Sequence, residues 1–465
     1  MTHESASDFE LADRVSRTDL LLGRRGAVSS LAETNDWFQQ RPVHVVLDAK
    51  LAAGSAGQAA AVTLVTLLHR AGFPVFVHCD AKEAIHTGPF KGQDLRATLE
   101  ELGAQTPIPA ADHLTGTRAV LIGDVQTSFA TSVQLTWDGW IAGVRNPRSR
   151  MEEREGCALA PLLAAALVVS EILESHLGVI DACWRDVTLS LWNPTGSANL
   201  PAQGPTLRWL PTQWMLIGLG HLGQANAWCL SHLPYESDAG EIWLADDDFV
   251  APANLSTGVL TDPRCMYDAS GSRLRKTRTV AEAIERSGRT TRMIERRLHS
   301  EERFQADLPA IALVGVDNLE TRRTLSDFGW PLCVDAGLGS TPSSFDSVSV
   351  HTFDGSGQSS HDVSAWRYYE TSSTDTAAGI FEDLRRAGLD ECGVVTLANK
   401  KVACAYVGMI AGCLVVAEVL RRLNGGAGSS SISATLDAIV FRGDELEPAN
   451  LRVQLLEARL ETPDR

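Results

Sequence analysis

The residues of this chain that could do chemistry begin with a glycine-rich loop. Gly218-Leu219-Gly220-His221-Leu222-Gly223 follows an apolar run and precedes a helical pattern. In that context, the backbone amides of a G-x-G-x-x-G loop and the N-terminus of its helix can bind phosphate groups. The pattern alone does not distinguish a dinucleotide from ATP, so a nicotinamide dehydrogenase stays open on this evidence.

A second chemical feature is the acidic triplet Asp246-Asp247-Asp248, which ends the next apolar run. In a parallel sheet this position lies beside the glycine loop, where Asp246 can accept hydrogen bonds from ribose hydroxyl groups. A solvated acidic loop is the plain alternative. The loop and the triplet together predict a nucleotide site at the carboxyl edge of a sheet.

The elements that must position these residues are indicated by an internal repeat. Residues 54–59 match residues 220–225, and residues 167–173 match residues 414–420. The two pairs occur in the same order, at offsets of 166 and 247 residues. The second half of the chain therefore holds 81 more residues between the matched segments than the first half.

Short apolar runs alternate with helical stretches in both halves, which predicts an α/β fold with parallel sheets. We expect two tandem, Rossmann-like, doubly wound lobes that together form a pseudo-dimer. A Pro- and Gly-rich stretch near residue 205 is the expected linker. The expected strands are 43–47, 75–78 and 119–122 in the first lobe and 214–217, 242–245 and 311–316 in the second.

Composition restricts the class of protein. The 465 residues carry a net charge of −17, which repels nucleic-acid backbones and argues against nucleic acid as a partner. The longest apolar run is too short to cross a bilayer, and the N-terminus lacks the pattern of a secretory signal, so we expect a cytoplasmic protein without membrane contacts. Nine cysteines without a C-x-x-C pair favour neither disulfides nor a structural zinc site.

Three further motifs complete the pattern in the second half. They are Asp246, Asp248, Val250, Asn254 and Leu255, then Lys276 after a gap, then Asp317, Asn318 and Arg322. With these residues the second half resembles the ubiquitin-activating-enzyme-like (ThiF/MoeB/HesA) adenylating superfamily, and in particular the activating enzymes of bacterial ubiquitin-like conjugation systems. The three sets match the family pattern V-D-x-D-x-V-x-x-S-N-L-x-R-Q, its following lysine and its D-N-x-x-x-R motif.

The resemblance implies that the second lobe binds ATP and Mg²⁺, with Asp317 as the metal ligand. Asn254 and Lys276 would meet the phosphates, and Asp246 would hold the ribose. Attack on an anionic α-phosphate requires such fixed positive charge. The expected catalytic residues are Lys276, Asp317 and Cys392, and the expected cofactor-binding residues are Gly218, Gly220, Gly223, Asp246, Asp248, Asn254, Lys276, Asn318 and Arg322.

The sequence departs from the family at Thr257, which replaces a phosphate-binding arginine, and at Gly258, which replaces the glutamine after it. A replacement charge could come from elsewhere in the second half. The family also supplies an arginine from the N-terminal helix of the partner lobe. The candidates are Arg273, Arg275 and Arg278 in the second half, and Arg14 and Arg17 in the first.

The first lobe is expected to keep the scaffold without the site, because Ala52 stands where the first loop glycine would be and the segment around Gly123 and Asp124 lacks the Asp-Asn pair. The resemblance places a thioester-forming cysteine in the extra residues of the second half, and Cys392 is our candidate. The expected divisions are 1–205 for the inactive lobe, 206–345 for the active lobe, 346–400 for the inserted cysteine segment, and 401–465 for the closing helix and tail.

The function implied is ATP-dependent activation of a ubiquitin-like protein that ends in glycine. Its carboxylate would be adenylated, captured as a thioester and passed to a conjugating-enzyme-like partner. The protein would act as a pseudo-dimeric monomer or a homodimer. The tail after residue 424 contains a Gly- and Ser-rich stretch, 425–431, and then a strand-like run, 434–442, and this tail would be available to recruit a partner. Two alternatives remain: adenylation of a peptide or small carboxylate without a thioester step, and a catalytically dead scaffold. It also stays open whether a serine at 340–344 acts in place of the thiol.

Overall fold

The computed structural model describes most of both predicted lobes. Residue Cys392 and residue Arg14 lie outside the described residues. The described residues are 15–79, 81–105, 118–235, 240–298, 303–305, 307–339, 344–355, 359–366, 379–386, 394, 404–436, 440–446 and 460–461.

The first lobe is built on a seven-stranded sheet. Five strands are parallel and the last two pair antiparallel, in the order β3-β2-β1-β4-β5-β6-β7. The strands are largely buried apolar runs, as expected for a parallel sheet covered on both faces. They are β1 Val43–Leu47, β2 Val75–His78, β3 Ala104–Gln105, β4 Arg118–Ile122, β5 Ser132–Asp138, β6 Ile141–Arg145 and β7 Val187–Ser190.

The second lobe repeats this strand order and extends it by one strand. Its sheet runs β11-β10-β9-β12-β13-β14-β15-β16, again with five parallel strands followed by antiparallel ones. The predicted α/β fold with two Rossmann-like lobes is therefore confirmed. The strands are β9 Gln213–Ile217, β10 Glu241–Ala245, β11 Thr290–Ile294, β12 Ile311–Val314, β13 Leu332–Leu338, β14 Ser347–Phe353, β15 Gly428–Thr435 and β16 Val440–Leu446; β8 Leu210–Pro211 pairs with β17 Leu460–Glu461.

Helices surround both sheets. In the first lobe they are α1 Arg17–Arg24, α2 Leu31–Gln39, α3 Ala49–Ala52, α4 Ser55–Ala71, α5 Leu95–Glu101 and α6 Leu159–His176. In the second they are α7 His221–Ser231, α8 Asn254–Thr257, α9 Lys276–Arg286, α10 Leu319–Arg323, α11 Gly379–Arg386 and α12 Ala405–Leu423. One 3₁₀ turn of the first lobe is Pro147–Ser149, and those of the second lobe are Pro263–Cys265, Leu325–Phe328, Ser360–Asp362 and Ser364–Trp366.

The two lobes share one apolar core. Helices α4 and α6 of the first lobe pack on each other, and α7 and α12 do the same in the second lobe. Because α12 also packs along α6, the four helices lie between the two sheets. Trp228 of α7 is fully buried there, and its indole Nε1 donates a hydrogen bond to Thr63 Oγ1 of α4 at 3.0 Å. This arrangement gives the predicted pseudo-dimer its interface.

Helix α6 is long and apolar enough to cross a membrane by length and composition, but 89% of its 18 residues are buried inside the protein. A helix that is apolar on all sides belongs to a packed core when its neighbours cover it. Here α4 and α12 lie against it. Its apolar character is thus accounted for by the contact between the lobes.

The extra residues of the second half do not all lie in the crossover segment before the closing helix, where the sequence analysis put them. The crossover between β14 and α12 spans 51 residues, whereas the matching crossover between β6 and α6 spans 13. Fewer than half of the 81 extra residues therefore lie there. Strand β14 pairs with both β13 and β15, so it belongs to the sheet, although the sequence analysis assigned it to the inserted segment 346–400.

The Gly- and Ser-rich stretch of the expected tail enters the second sheet. Its last four residues form the first half of β15, which pairs with β14 on one side and β16 on the other. Ser429 is buried, and its amide donates to Glu418 Oε1 at 2.9 Å. Glu418 also binds Arg422 Nε at 2.6 Å. The small side chains thus fit a strand that packs closely against a buried charge network.

Candidate nucleotide site

The glycine loop between β9 and α7 has the conformation that its sequence predicts. Gly218 adopts a positive φ of 79°. A Cβ at Gly223 would collide with the carbonyl oxygen of Gly218, and one at Gly218 would lie 2.8 Å from Val316 Cγ1. By contrast, a Cβ at Gly220 would meet nothing within 4 Å. The first and third glycines therefore permit tight packing, while Gly220 faces the open space beside the helix N-terminus.

The acidic triplet lies directly beside this loop. Asp246 Oδ2 accepts a hydrogen bond from the Leu219 amide at 2.6 Å, and its Oδ1 accepts one from the Asp248 amide at 2.7 Å. Asp248 Oδ2 in turn pairs with Lys276 Nζ at 2.7 Å. The lysine side chain is 13% exposed and the aspartate 67% exposed. The fold thus connects the glycine loop, Asp246, Asp248 and Lys276 through three direct contacts.

Asp317 follows the strand on the other side of the loop. Strand β12 pairs with β9, and its next residues, Gly315 and Val316, lie against the loop. Asp317 is exposed at this edge. Its neighbour Asn318 caps α10, since Asn318 Oδ1 accepts hydrogen bonds from the Glu320 and Thr321 amides at 2.8 and 3.3 Å. The capping role is therefore carried by Asn318, and the Asp317 carboxylate is left at the mouth of the site.

Arg322 points into the protein. It is 3% exposed and forms a two-pronged ion pair with Asp335 of β13, with Nε at 3.1 and 3.0 Å from the two carboxylate oxygens. The guanidinium also lies 4.6 Å from the centroid of the Trp366 ring. Such contacts hold α10 and its Asn318 cap against the sheet, so the geometry gives Arg322 a supporting position.

Asn254 begins the short helix α8. Its Oδ1 accepts from the Ala251 amide at 2.9 Å, which fixes the turn before the helix. The first lobe also contacts this helix and the loop that follows it. Arg70 of α4 donates to the Leu255 carbonyl at 2.7 Å and to the Thr261 carbonyl. Thr257 is buried and its hydroxyl bonds to the Ala253 carbonyl at 3.0 Å.

The candidate replacements for the missing arginine occupy different places. Arg273 and Arg275 flank the Phe249 ring at 5.9 and 4.7 Å, and they donate to the Val250 and Asp247 carbonyls. Arg278 pairs with Glu295 at 3.0 Å. Arg17 is 7% exposed on α1, and α1 packs against α8, the helix that carries Asn254. Arg17, the first-lobe candidate within the described residues, thus lies on a helix that contacts this part of the site.

The sequence analysis missed a glutamine that the repeat contained. Gln224 of α7 accepts from the Leu260 amide at 2.9 Å and donates to Thr261 Oγ1 at 2.9 Å, and so anchors the loop after α8. Its counterpart Gln58 of α4 accepts from the His86 amide at 2.9 Å. Both lobes thus use the same glutamine to hold the loop after their second strand. The signal was its presence in both matched segments.

The first lobe has replaced the glycine loop. A turn of helix, α3, occupies the position between β1 and α4, and Asp48 Oδ1 caps it by accepting from the Lys50 and Leu51 amides at 2.7 and 3.2 Å. A Cβ at Gly57 would still collide with the Leu51 carbonyl oxygen, as at Gly223. The first lobe therefore keeps the close packing at the start of α4, but the helical turn α3 occupies the place that the glycine loop has in the second lobe.

The eight cysteines that the structure describes are largely shielded from solvent. Seven are buried, and Cys265 is half-buried. Burial raises the thiol pKa of Cys157, Cys183 and Cys404 to about 12, and it raises that of Cys265 above its usual range. A thiolate is the reactive form, so none of these four is suited to attack at neutral pH.

The site residues fit ATP with a divalent cation. The open glycine loop has the shape for phosphates, and Lys276 supplies a positive charge beside it. Hard oxygen ligands, which Mg²⁺ prefers, are available from Asp317 and from the triplet, since carboxylate oxygens of Asp246, Asp247 and Asp248 lie within 4.8 Å of one another.

Comparison with known proteins places this fold in context. A model of the BilD N-terminal domain matches residues 42–191, and a model of the BilD C-terminal domain matches residues 210–426. The bacterial E1-like protein BilD of Collimonas sp. (strain OK412) is 34% identical over 436 residues, covering 90% of each chain.

Crystal structures of E. coli MccB with ATP and with its SeMet MccA partner are also similar, at 13% and 14% identity and TM-scores of 0.32 and 0.34. They cover 68% of this chain and 96% and 95% of theirs. Scores this low transfer neither a ligand nor a residue role.

Proposed function

The chain belongs to the BilD family, and on that premise we propose that it activates a ubiquitin-like protein with ATP. The E1-like description of its Collimonas relative supports this reaction class. The observation that carries the proposal is the contact chain from the glycine loop through Asp246 and Asp248 to Lys276, with Asp317 on the opposite side. A nicotinamide dehydrogenase would have no use for Lys276 and Asp317 in these positions.

In the proposed first step, a carboxylate oxygen of the substrate's C-terminal glycine attacks the α-phosphorus of ATP. The bond to the β-phosphate oxygen breaks and pyrophosphate leaves, giving an acyl-adenylate. Lys276 exchanges its Asp248 partner for the phosphates and stabilises the charge that develops there. Asp246 holds the ribose hydroxyls, and Asn254 contacts the phosphates from α8. Asp317 is the residue proposed to hold Mg²⁺, which when bound would neutralise phosphate charge.

In the proposed second step, the Cys392 thiolate attacks the acyl carbon and AMP leaves, which conserves the acyl group as a thioester. The raised thiol pKa values of Cys157, Cys183, Cys265 and Cys404 make these four unsuited to the step, which supports the choice of Cys392. Transfer to a conjugating-enzyme-like partner then regenerates the thiol. We place this activity in the cytoplasm, in a chain whose second lobe is active and whose first lobe supports it.

The first lobe's proposed role is to hold the nucleotide-binding segment from outside. Arg70 binds two carbonyls that bracket the loop after α8, and α1 packs against the same helix. Arg17 is our proposed source of the phosphate-binding charge that Thr257 lacks. Substitution of Arg17 by Ala should weaken ATP binding, whereas substitution of Arg278, which is paired with Glu295 and more exposed, should leave it unchanged.

The test is a gel assay combined with pyrophosphate exchange. Purified protein is incubated with ATP·Mg²⁺ and small ubiquitin-like proteins that end in glycine, and then run with and without reductant. We expect an adduct that reductant removes. Cys392→Ala should lose the adduct and keep substrate-dependent pyrophosphate exchange, while Cys265→Ala, the matched control at another thiol, should keep both.

Three results separate the alternatives. Exchange that depends on a small carboxylate or peptide, with an undiminished adduct in Cys392→Ala, indicates adenylation without a cysteine thioester. Binding of ATP without exchange for any substrate argues against the proposed chemistry. Failure of the folded protein to bind ATP indicates a scaffold.

A further inference from the structure

The loop between α6 and β7 in the first lobe, residues 177–186, presents two large apolar side chains to solvent. Ile180 is 94% exposed and Trp184 is 65% exposed. Isoleucine is among the residue types most often buried, and tryptophan carries a large apolar surface that is costly to leave in water. The loop therefore carries apolar area that a protein contact can bury.

A buried carboxylate holds the loop in this conformation. Glu171 of α6 is inaccessible to solvent. Its Oε2 accepts a hydrogen bond from the Cys183 amide at 2.8 Å, and its Oε1 accepts one from Arg185 Nη2 at 2.7 Å. Cys183 adopts a positive φ of 66°, a conformation that costs free energy in a residue with a Cβ. Trp184 lies between the two residues that Glu171 binds, so the backbone that carries its exposed indole is fixed.

The equivalent position of the second lobe shows what the first lobe has added. The offset of the matched helices pairs Glu171 with Glu418, which accepts a hydrogen bond from the Ser429 amide at 2.9 Å. Four residues, 424–427, separate α12 from β15, whereas ten residues, 177–186, separate α6 from β7. The shorter connection, all of which the structure describes, exposes no large apolar side chain. The glutamate thus fixes the chain after the long helix in both lobes, and the first lobe uses the additional residues to display apolar side chains.

The loop lies on the side of the molecule where the first lobe meets the nucleotide-binding segment. It begins directly after α6, and the Val179 amide donates to the Glu174 carbonyl at 3.0 Å. The Glu174 carboxylate pairs with Arg25, which directly follows α1, at 3.6 Å. Helix α1 in turn packs against α8, the helix that carries Asn254. A protein bound at the loop is therefore on the side from which a C-terminal tail can approach the nucleotide site.

The exposed charge of the loop is negative. Asp181 and Asp186 are exposed. Arg185 is the basic residue of the loop, and its guanidinium is bound by the buried Glu171 and lies 3.5 Å from the Asp181 carboxylate. Three carboxylates are thus set against one guanidinium. A complementary surface is an apolar patch bordered by lysine or arginine.

We propose that this loop binds the folded body of the ubiquitin-like protein whose C-terminal tail is adenylated; the inference rests on the function proposed above. Trp184 and Ile180 anchor an apolar patch of that protein, and Asp181 meets a basic residue at the edge of the patch. These contacts do not involve the reacting carboxylate, so they lower KM for the protein substrate without changing kcat. The first lobe therefore contributes substrate affinity as well as support for the nucleotide-binding segment.

The test is steady-state pyrophosphate exchange with the ubiquitin-like protein that the parent enzyme adenylates. Trp184→Ser combined with Ile180→Ser should raise KM for that protein at least tenfold, while kcat and KM for ATP stay within twofold. Asp181→Lys should raise the same KM by about threefold, because it removes the charge complementarity at the edge of the patch. Anisotropy titration of the labelled substrate protein without ATP should show the same losses of affinity.

Leu200→Ser is the matched control, because Leu200 is 86% exposed on the same lobe and lies outside the loop. It also replaces a large exposed apolar side chain by serine, and it should leave every kinetic parameter within twofold. Trp184→Phe keeps an aromatic anchor, and should hold KM for the protein substrate within about threefold of the parent value. The thermal midpoints of all variants should stay within about 2 °C of the parent, since these side chains are exposed.

Four outcomes overturn the proposal. One is a KM for the protein substrate within twofold of the parent value in the double variant, and another is an equal rise in KM for ATP, because the loop would then act on the nucleotide-binding segment. Loss of a parent dimer in sedimentation, with KM unchanged, assigns the patch to a contact between two copies of the chain. Absence of exchange with any ubiquitin-like protein overturns the proposed function as well, whereas exchange by the parent with unchanged KM in the variants overturns this inference alone.

Discussion

Arg322 provides the sharpest test of how the second lobe is assembled. The resemblance implied a role in nucleotide binding, whereas the structure buries it against Asp335, which is fully inaccessible to solvent. Breaking a buried ion pair by removing one partner typically costs about 3–5 kcal/mol, because the remaining charge loses its compensation. Arg322→Met should therefore destabilise the protein by roughly that amount.

For a folding unit of 150–250 residues, about 1 kcal/mol corresponds to roughly 2–4 °C, so the thermal midpoint should fall by roughly 6–20 °C. Asp335→Leu alone should cost a similar amount, since it leaves the guanidinium buried and unpaired. The double variant, Arg322→Met with Asp335→Leu, should recover most of the loss, because an apolar pair of similar volume can replace a buried ion pair. Thermal unfolding and urea titration of the parent, the two single variants and the double variant measure this double-mutant cycle.

ATP binding to the double variant separates the two roles of Arg322. If the arginine supports α10 and does not contact the nucleotide, the repacked variant should bind ATP within about threefold of the parent. A double variant that is stable yet binds ATP more than tenfold more weakly would refute the structural role. A double variant as unstable as either single one would refute the ion pair itself.

Three further predictions follow from the site and the core. Gly223→Ala should abolish ATP binding, because its Cβ collides with the Gly218 carbonyl, while Gly220→Ala, which meets nothing within 4 Å, should retain the fold; circular dichroism and calorimetry compare them. Lys276→Ala should reduce pyrophosphate exchange at least a hundredfold with little change in the thermal midpoint, since its partner Asp248 is exposed; an unchanged exchange rate would remove the lysine from the mechanism. Burial lowers the pKa of four histidines to about 4, namely His176, His221, His232 and His351. The stability that these neutral histidines contribute is present above pH 6.5 and is lost as the pH falls towards 4. The pKa of Asp19 is raised to about 6, which has the opposite effect on proton uptake, but a single carboxyl group does not offset four histidines. Calorimetry at pH 5.5 should show net proton uptake on unfolding, and proton release would contradict this assignment.

The sequence predicted the parts of the fold that depend on local pattern. Buried parallel strands appear as apolar runs, and the glycine loop requires its residues for backbone reasons, so both were found where expected. The contact of Asp246 with Leu219 follows from the position of adjacent strand ends. These features need no knowledge of distant contacts.

What the sequence did not indicate depends on contacts between distant segments. The partner of Arg322 is on another strand, and Arg70 reaches a helix in the other lobe, 185 residues away. The Gly- and Ser-rich stretch gave no strand signal, because β15 is specified by Glu418 and by pairing with β14 rather than by its own small side chains. Tertiary context overrides local propensity in such strands.

The shared four-helix layer has a consequence for how the gene can change. Each lobe supplies half of a common interior, so a break at the linker would leave two products with bare apolar faces. Changes at the loop edge of the first lobe leave this interior intact, while selection on α4 and α6 should be as strict as on α7 and α12. Divergence between related sequences should consequently be greatest at that edge and least along the buried helix faces.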